Sequence, residues 1–335
     1  MKASLAALAV GLASLSASAL AEPVATLRFA GIAPEGTAWA REVKAFTREI
    51  ESASDGRLAV RVYLGGIAGD DLEMGRRLQR DQLDGVLSAG TTCQDVAPAF
   101  RVLRIPGLVT DRAEASFVAN RLLPTMREQA RAHGVVLLAT APLGRDVVVS
   151  RVPIDSFATL RRLKLWQWDL EPAAVAFSRA MGLDIVPLPV AEAGSAYEAG
   201  RTDGFIAIPS AIFGFQWFAR RLYLSQLPFA PVFGCVLVST ATFERLPTDL
   251  REIVSAAAVK LGLRFAAATQ MQDDQLLGGL FEKQGVHTVA VSPELRAQFF
   301  DAAHAARDRI GANVVPRDLL LQAQSWLADY RSEHR

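Results

Sequence analysis

Strand-like and helix-like segments alternate along most of this 335-residue chain, and that alternation restricts the fold more than any other feature. Ala25 to Ala30 alternates apolar and polar residues as a strand does. After Pro34-Glu35-Gly36-Thr37, residues Trp39, Val43, Phe46 and Ile50 fall at i, i+4, i+7 and i+11, one apolar stripe of a helix. Asp55-Gly56 closes it, and Arg57 to Tyr63 reads as the next strand. Gly65-Gly66 turns the chain, and Asp70-Asp71 opens a helix through Met74 and Leu78, where carboxylates suit the positive end of the dipole. Asp84 to Ser88 is a third strand. The order βαβαβ predicts a mainly parallel sheet with helices on its faces.

The same order returns further on. Asp146 to Ser150, Lys164 to Trp168, Leu183 to Pro187 and Gly204 to Ile208 read as strands, with helices over Pro172 to Met181 and Glu192 to Ala199. The fold class is therefore α/β in two units, although no residue-level repeat links them. Val232 to Val238 is a continuous apolar run, as in a strand buried on both faces. Leu250 to Glu282 carries a helical pattern long enough to bridge two domains, broken only at Gly262 and Gly278-Gly279. One more strand, Thr288 to Val291, and two helices finish the chain, which is expected to cross between the units more than once.

The N-terminus has the pattern of an export signal. Met1-Lys2 is followed by an apolar run to Leu15 and by small residues at Ala19 and Ala21. The run is too short to span a bilayer, so cleavage after Ala21 and a periplasmic destination are expected. Lys2 is the only charge removed. With 36 basic and 35 acidic residues in the whole chain, the balance argues against nucleic acid or an anionic membrane surface as partner. Cys93 and Cys235 are the two cysteines, which either pair in an oxidising compartment or pack as small hydrophobes.

Motifs that would carry chemistry are missing together. His133, His287, His304 and His334 have no metal-ligand spacing. There is no Gly-x-Ser-x-Gly elbow, and Gly65 to Asp70 lacks the lysine of a phosphate loop. No enzyme activity, metal or cofactor is expected. An exported α/β enzyme is the alternative of another class.

Several segments carry a resemblance. Gly56 to Tyr63, then Gly65-Gly66, then a helix ending at Gln82-Leu83-Asp84-Gly85 is similar to the solute-binding subunits of tripartite ATP-independent periplasmic (TRAP) transporters. So are Leu160 to Leu165, Met181-Gly182, Val186 to Pro189, Thr202-Asp203-Gly204 and Phe243 to Pro247. The resemblance covers the chain from about Leu27 to the end of the long helix. It implies a periplasmic binding protein-like fold, two α/β domains around a cleft with a long bridging helix. The domains are expected at 25–143 plus 230–265 and at 144–229 plus 266–335, after a signal peptide at 1–21. The implied partners are a small-molecule organic solute and the membrane permease subunits of the transporter. A branch of the family that works with a tetratricopeptide-repeat partner and favours apolar ligands is a plausible home.

The chain also departs from that family. Members usually carry an arginine where Trp166 stands, and it pairs with the ligand carboxylate. They usually carry Glu or Asn after the Asp-Gly pair, where this chain reads Phe205-Ile206-Ala207-Ile208-Pro209. Trp166 and Trp168 share a strand face, so an aromatic pocket is expected, against packing of either Trp in the core. Arg145 is the remaining candidate anion anchor, against a surface Arg or one paired with Asp146 or Asp169. Glu35 and Thr37 with Trp39, and Thr91 with Thr92 and Cys93, follow strands at the ends that bind ligands in α/β sheets. Trp39 stays a candidate, although its place on the apolar stripe favours the core. Phe213 and Trp217, expected four apart on one helix face, either line the pocket or merely pack. The expected ligand is apolar or aromatic, with an organic acid held by Arg145 as the alternative.

Overall fold

The computed structural model describes residues 23–220 and 222–334. The expected export segment, 1–21, lies outside the described residues. The strands are β1 (Ala25–Gly31), β2 (Leu58–Tyr63), β3 (Gly85–Ser88), β4 (Val135–Arg145), β5 (Val147–Ser150), β6 (Lys164–Trp168), β7 (Asp184–Leu188), β8 (Gly204–Ala207), β9 (Tyr223–Ser225), β10 (Pro231–Ser239) and β11 (His287–Val289). They form two sheets, ordered β2-β1-β3-β10-β4 and β11-β9-β5-β8-β6-β7.

Each sheet is parallel except for one strand. β1 runs parallel to β2 and β3, with Ala25 opposite Leu58 and Phe29 opposite Gly85. β10 lies antiparallel between β3 and β4. In the second sheet β6 is parallel to β7 and β8, and β5 is antiparallel to β8 and β9. β5 and β10 are the strands that arrive from the other lobe. β4 leads directly into β5 through Asp146, and β9 leads to β10 through residues 226–230.

Alternation along the strands builds a core on both faces of each sheet. In β10, Cys235 and Leu237 join one cluster with Met74, Phe100 and Leu122, while Val236 and Val238 join another with Phe29, Phe46 and Leu250. In the second lobe Val148, Leu165 and Ile206 face one core, and Val149, Trp166 and Phe205 the other. All nine residues of β10 are buried, as its unbroken apolar run requires. Gly85 is sterically required, since a Cβ there would lie 2.2 Å from the Phe29 ring.

The long helix, Thr248–Gln275, packs on the helix Ala38–Ala53 and continues into a turn at Leu276–Leu280 that reaches the second lobe's core. Gly279, at φ 121°, breaks the helix that the sequence pattern runs on to Glu282. The expected division between 265 and 266 therefore falls inside one continuous helix. The last helix, Arg317–Glu333, was expected with the second lobe. It packs on Arg112–Ala132 of the first, where Leu319, Ala323 and Leu327 share a core with Val118 and Leu122. Its apolar face finds a partner there because Arg112–Ala132 leaves one side uncovered by the sheet. Among the described residues no helix is long and apolar enough to cross a membrane.

Candidate functional site: a cleft between the lobes

A cavity of about 540 Å³ lies between the two sheets, at the carboxyl ends of strands from both lobes. The first lobe contributes the loop Gly65-Gly66, Gly69, Ser88 and Ala89 after β3, and Trp39. The loop Gly65 to Gly69 turns through positive φ at all three glycines (68°, 77° and 102°), which lets bare backbone form that part of the wall. The second lobe contributes Trp166 and Trp168 at the end of β6, with Phe215 and Trp217.

The second wall is a stack of aromatic rings. Trp166 is only 2% exposed yet borders the cavity. Its Nε1 donates to the Leu188 carbonyl at 3.0 Å, and its ring meets Trp217 edge-on at 5.0 Å. Trp217 in turn stacks on Phe205 at 4.6 Å and on Phe215 at 5.4 Å. Trp168 is half-buried on the same wall. Trp39, opposite, donates from Nε1 to Thr269 Oγ1 at 3.4 Å and so ties its helix to the long helix.

Three expected site residues, Trp39, Trp166 and Trp168, thus meet at the cavity. The others do not line it. Arg145 is held elsewhere, its Nη1 donating to the carbonyls of Phe229 at 2.9 Å and Val109 at 3.2 Å. Burial lowers its pKa, and Asp111 opposes that. Phe205 is fully buried behind Trp217, and Pro209 is buried at the start of the helix Pro209–Gly214. Phe213 stacks on Phe218 at 5.2 Å, away from the cavity. Phe213 and Trp217 do not share a helix face, because the helix ends at Gly214 and Gln216 takes φ 57°. Glu35 is exposed and pairs with Lys44 at 2.7 Å. Thr91 is buried below the wall, its backbone N–H donating to Asp71 at 2.8 Å.

Sequence reasoning missed the polar floor of the cleft. Arg104, 3% exposed, sits where the lobes join. Its Nη2 donates to Asp146 at 2.8 Å and to Glu171, and its Nη1 donates to the Pro231 carbonyl at 2.9 Å. Burial pushes the Glu171 carboxyl up, and Arg104 only partly offsets this. Asp71 is a further buried acid, behind the wall. Its neighbour Asp70 caps the helix Asp71–Gln79 by accepting from Glu73 N at 2.7 Å. Asp71 instead turns inward and accepts from Ser88 Oγ (2.7 Å) and the N–H groups of Ala89, Thr91 and Thr92. Its pKa is raised by burial against those bonds. Nothing in the local pattern around residue 104 marks it, since all its partners are distant in sequence.

Cys93 and Cys235 form a disulfide with their Cα atoms 6.0 Å apart, and Cys235 borders the cavity. The bond ties the helix after β3 to the crossing strand β10. The charged residues that border the cavity are Asp70, Asp146, Asp169 and Glu171; among the described residues no Lys, Arg or His does so.

A family model, bacterial extracellular solute-binding protein family 7, matches residues 29–313. A solute-binding protein of Roseobacter denitrificans is 24% identical over 309 residues, covering 90% of this chain and 91% of the relative. Among solved structures, the sugar acid binding protein of Advenella mimigardefordensis in complex with galactonate superposes with a TM-score of 0.83 at 17% identity, covering 92% of this chain and 99% of that one. A Bordetella pertussis extracytoplasmic solute receptor binding pyroglutamic acid gives 0.80 at 17% identity, covering 90% and 99%. A TRAP periplasmic solute binding protein from Roseobacter denitrificans with bound L-galactonate gives 0.78 at 22%, covering 89% and 99%.

Proposed function

The chain belongs to bacterial extracellular solute-binding protein family 7, and we propose that it closes its lobes around an apolar or aromatic organic solute and passes it to a TRAP permease. Proteins of this family are periplasmic receptors for small solutes of TRAP transporters, not enzymes. The reading includes export with cleavage after Ala21. It also includes a tetratricopeptide-repeat partner, because a solute that shuns water gains from transfer between protein surfaces.

One observation carries the ligand class. The cavity is walled by Trp39, Trp166, Trp168 and Trp217, and no guanidinium borders it among the described residues. Each 100 Å² of apolar solute surface removed from water contributes roughly 2.5 kcal/mol, part of which offsets the ordering that closure requires. Trp166, Trp168 and Trp39 are the residues assigned to contact. Domain closure about the junction at Asp146 is the motion such a cleft supports.

The galactonate and pyroglutamate bound by proteins of similar fold favour a second reading, an organic acid. That reading needs a cation at the wall. Arg145 is engaged with backbone carbonyls, and Arg104 is engaged with two carboxylates. A thermal-shift screen of the mature protein separates the two. Apolar and aromatic solutes are expected to raise the melting temperature more than galactonate. The reverse order would sink the apolar reading, as would mass spectrometry of the native cleft contents that finds a sugar acid.

A further inference from the structure

We propose that the solute is an organic cation, a protonated amine or quaternary ammonium group on an apolar body; this rests on the apolar-cleft reading above. The wall offers four carboxylates and, among the described residues, no basic side chain. Asp146 and Glu171 share Arg104, one positive charge against two negative ones. Asp70 and Asp169 add to the imbalance from opposite lobes. An anionic solute entering this space finds no unshared cation on the wall among the described residues.

Two buried acceptors need a donor. Gln167 lies on the cavity wall at 3% exposure, and its Oε1 accepts no hydrogen bond. Asp169, two residues on, has a buried Oδ1 that also accepts none, and it pairs with no cation among the described residues. A solute N–H, or the field of a quaternary ammonium, satisfies what the protein leaves open.

Closure supplies the second argument. Asp70 stands on the first lobe and Asp169 on the second; burial pushes the Asp169 carboxyl up, and repulsion from Asp70 and Glu192 adds to that. Bringing the lobes together without a counter-charge works against that repulsion. A cation between them reverses the sign, so the closed state favours the charged solute. The electron-rich rings of Trp39 and Trp168, the two half-buried tryptophans of the wall, attract the same charge that the carboxylates do.

The test uses three solutes of one shape and three charges, 2-phenylethylammonium, 2-phenylethanol and phenylacetate, titrated calorimetrically into the full mature protein. The ammonium is expected to bind about tenfold tighter than the alcohol, and phenylacetate weakest. Added salt should weaken the ammonium alone. Asp169→Asn should shrink the ratio of ammonium to alcohol by about tenfold; its Oδ1 has no bond to lose, and a melting curve verifies folding. Trp168→Leu should shrink the same ratio by a few-fold. Equal binding of alcohol and ammonium overturns the charge and leaves the apolar cleft standing. Tightest binding by phenylacetate overturns the charge. Silence from all three overturns both readings.

Discussion

The first lobe frames its side of the cleft with covalent and polar bonds, whereas the second frames its side with packed rings. On the first side the Cys93–Cys235 disulfide joins the β3 loop to β10, and Asp71 gathers Ser88, Ala89, Thr91 and Thr92 around one carboxylate. What reaches the cavity from that loop is small, Ser88 and Ala89. On the second side Trp166, Trp217, Phe205 and Phe215 hold one another, and the Trp166 indole is also anchored by its hydrogen bond to the Leu188 carbonyl. Polar bonds fix a thin wall of backbone in place, where packing alone would offer too few atoms. Rings pack well enough to need little else, and they also offer the solute a large apolar face.

Breaking the first frame should have the largest effect. The disulfide spans a sequence separation of 142, so replacing both cysteines by alanine should cost about 5 kcal/mol by the loop-closure argument. Urea unfolding of the oxidised protein against the double variant measures this; equal midpoints would show that the polar bonds hold the loop unaided. Arg104→Met breaks the junction between the walls and leaves Asp146 and Glu171 buried without their cation, at about 4 kcal/mol. If the same variant made with Glu171→Gln were no more stable than Arg104→Met alone, the ion pair would not be the cause.

Trp166→Ala breaks the second frame and should cost about 3 kcal/mol of stability by leaving a cavity against Trp217. It should also weaken binding of an apolar solute, whereas Thr91→Ala, on the first side, should leave binding alone. Equal binding losses in the two variants would abolish the contrast between the walls.

The smallest effect concerns the long helix that joins both sides. Asp273 is buried beside Gly144 with Arg112 at 3.3 Å, and burial pushes its carboxyl up to about 6. The folded state therefore holds this proton more tightly than the unfolded chain, whose carboxyl titrates near the ordinary 3.8. Its stabilisation is complete below pH ~4 and is lost as pH rises through about 6. Asp273→Asn should remove that decline and leave the variant about 1–2 kcal/mol more stable than the parent at pH 8, less whatever Arg112 contributes. Unfolding in urea at pH 4.5 and pH 8 checks the sign; a parent protein that gains stability through this pH range while the variant does not would refute it.

Much of the fold was legible because it is written in short range. The stripe Val43, Phe46 and Ile50 is buried where its spacing puts it, and β10 is as closed on both faces as its composition implies. β4 escaped because Val135 to Arg145 has no alternation and contains Pro142, although it is the longest strand described. The site was legible only in part. Trp166 was singled out by its place in the family resemblance and Trp168 by sharing its strand face, and both border the cavity; Trp217 reached it by a route, the break at Gln216, that helical spacing hides. Arg145 had the right chemistry at the wrong address: its strand end delivers the guanidinium to the carbonyls of Val109 and Phe229.

The sequence by itself determined many of the strands and helices, that they form two α/β units, and the family to which the chain belongs, because periodicity and local motifs act within a few residues. Only the tertiary structure decided that Cys93 meets Cys235, that Arg104 serves Asp146 and Glu171, and that, among the described residues, carboxylates rather than cations border the cleft. Each of these depends on which distant segments the sheets bring side by side. Pairing of charges and thiols is a matter of ångströms in space, and spacing along the chain carries no record of it.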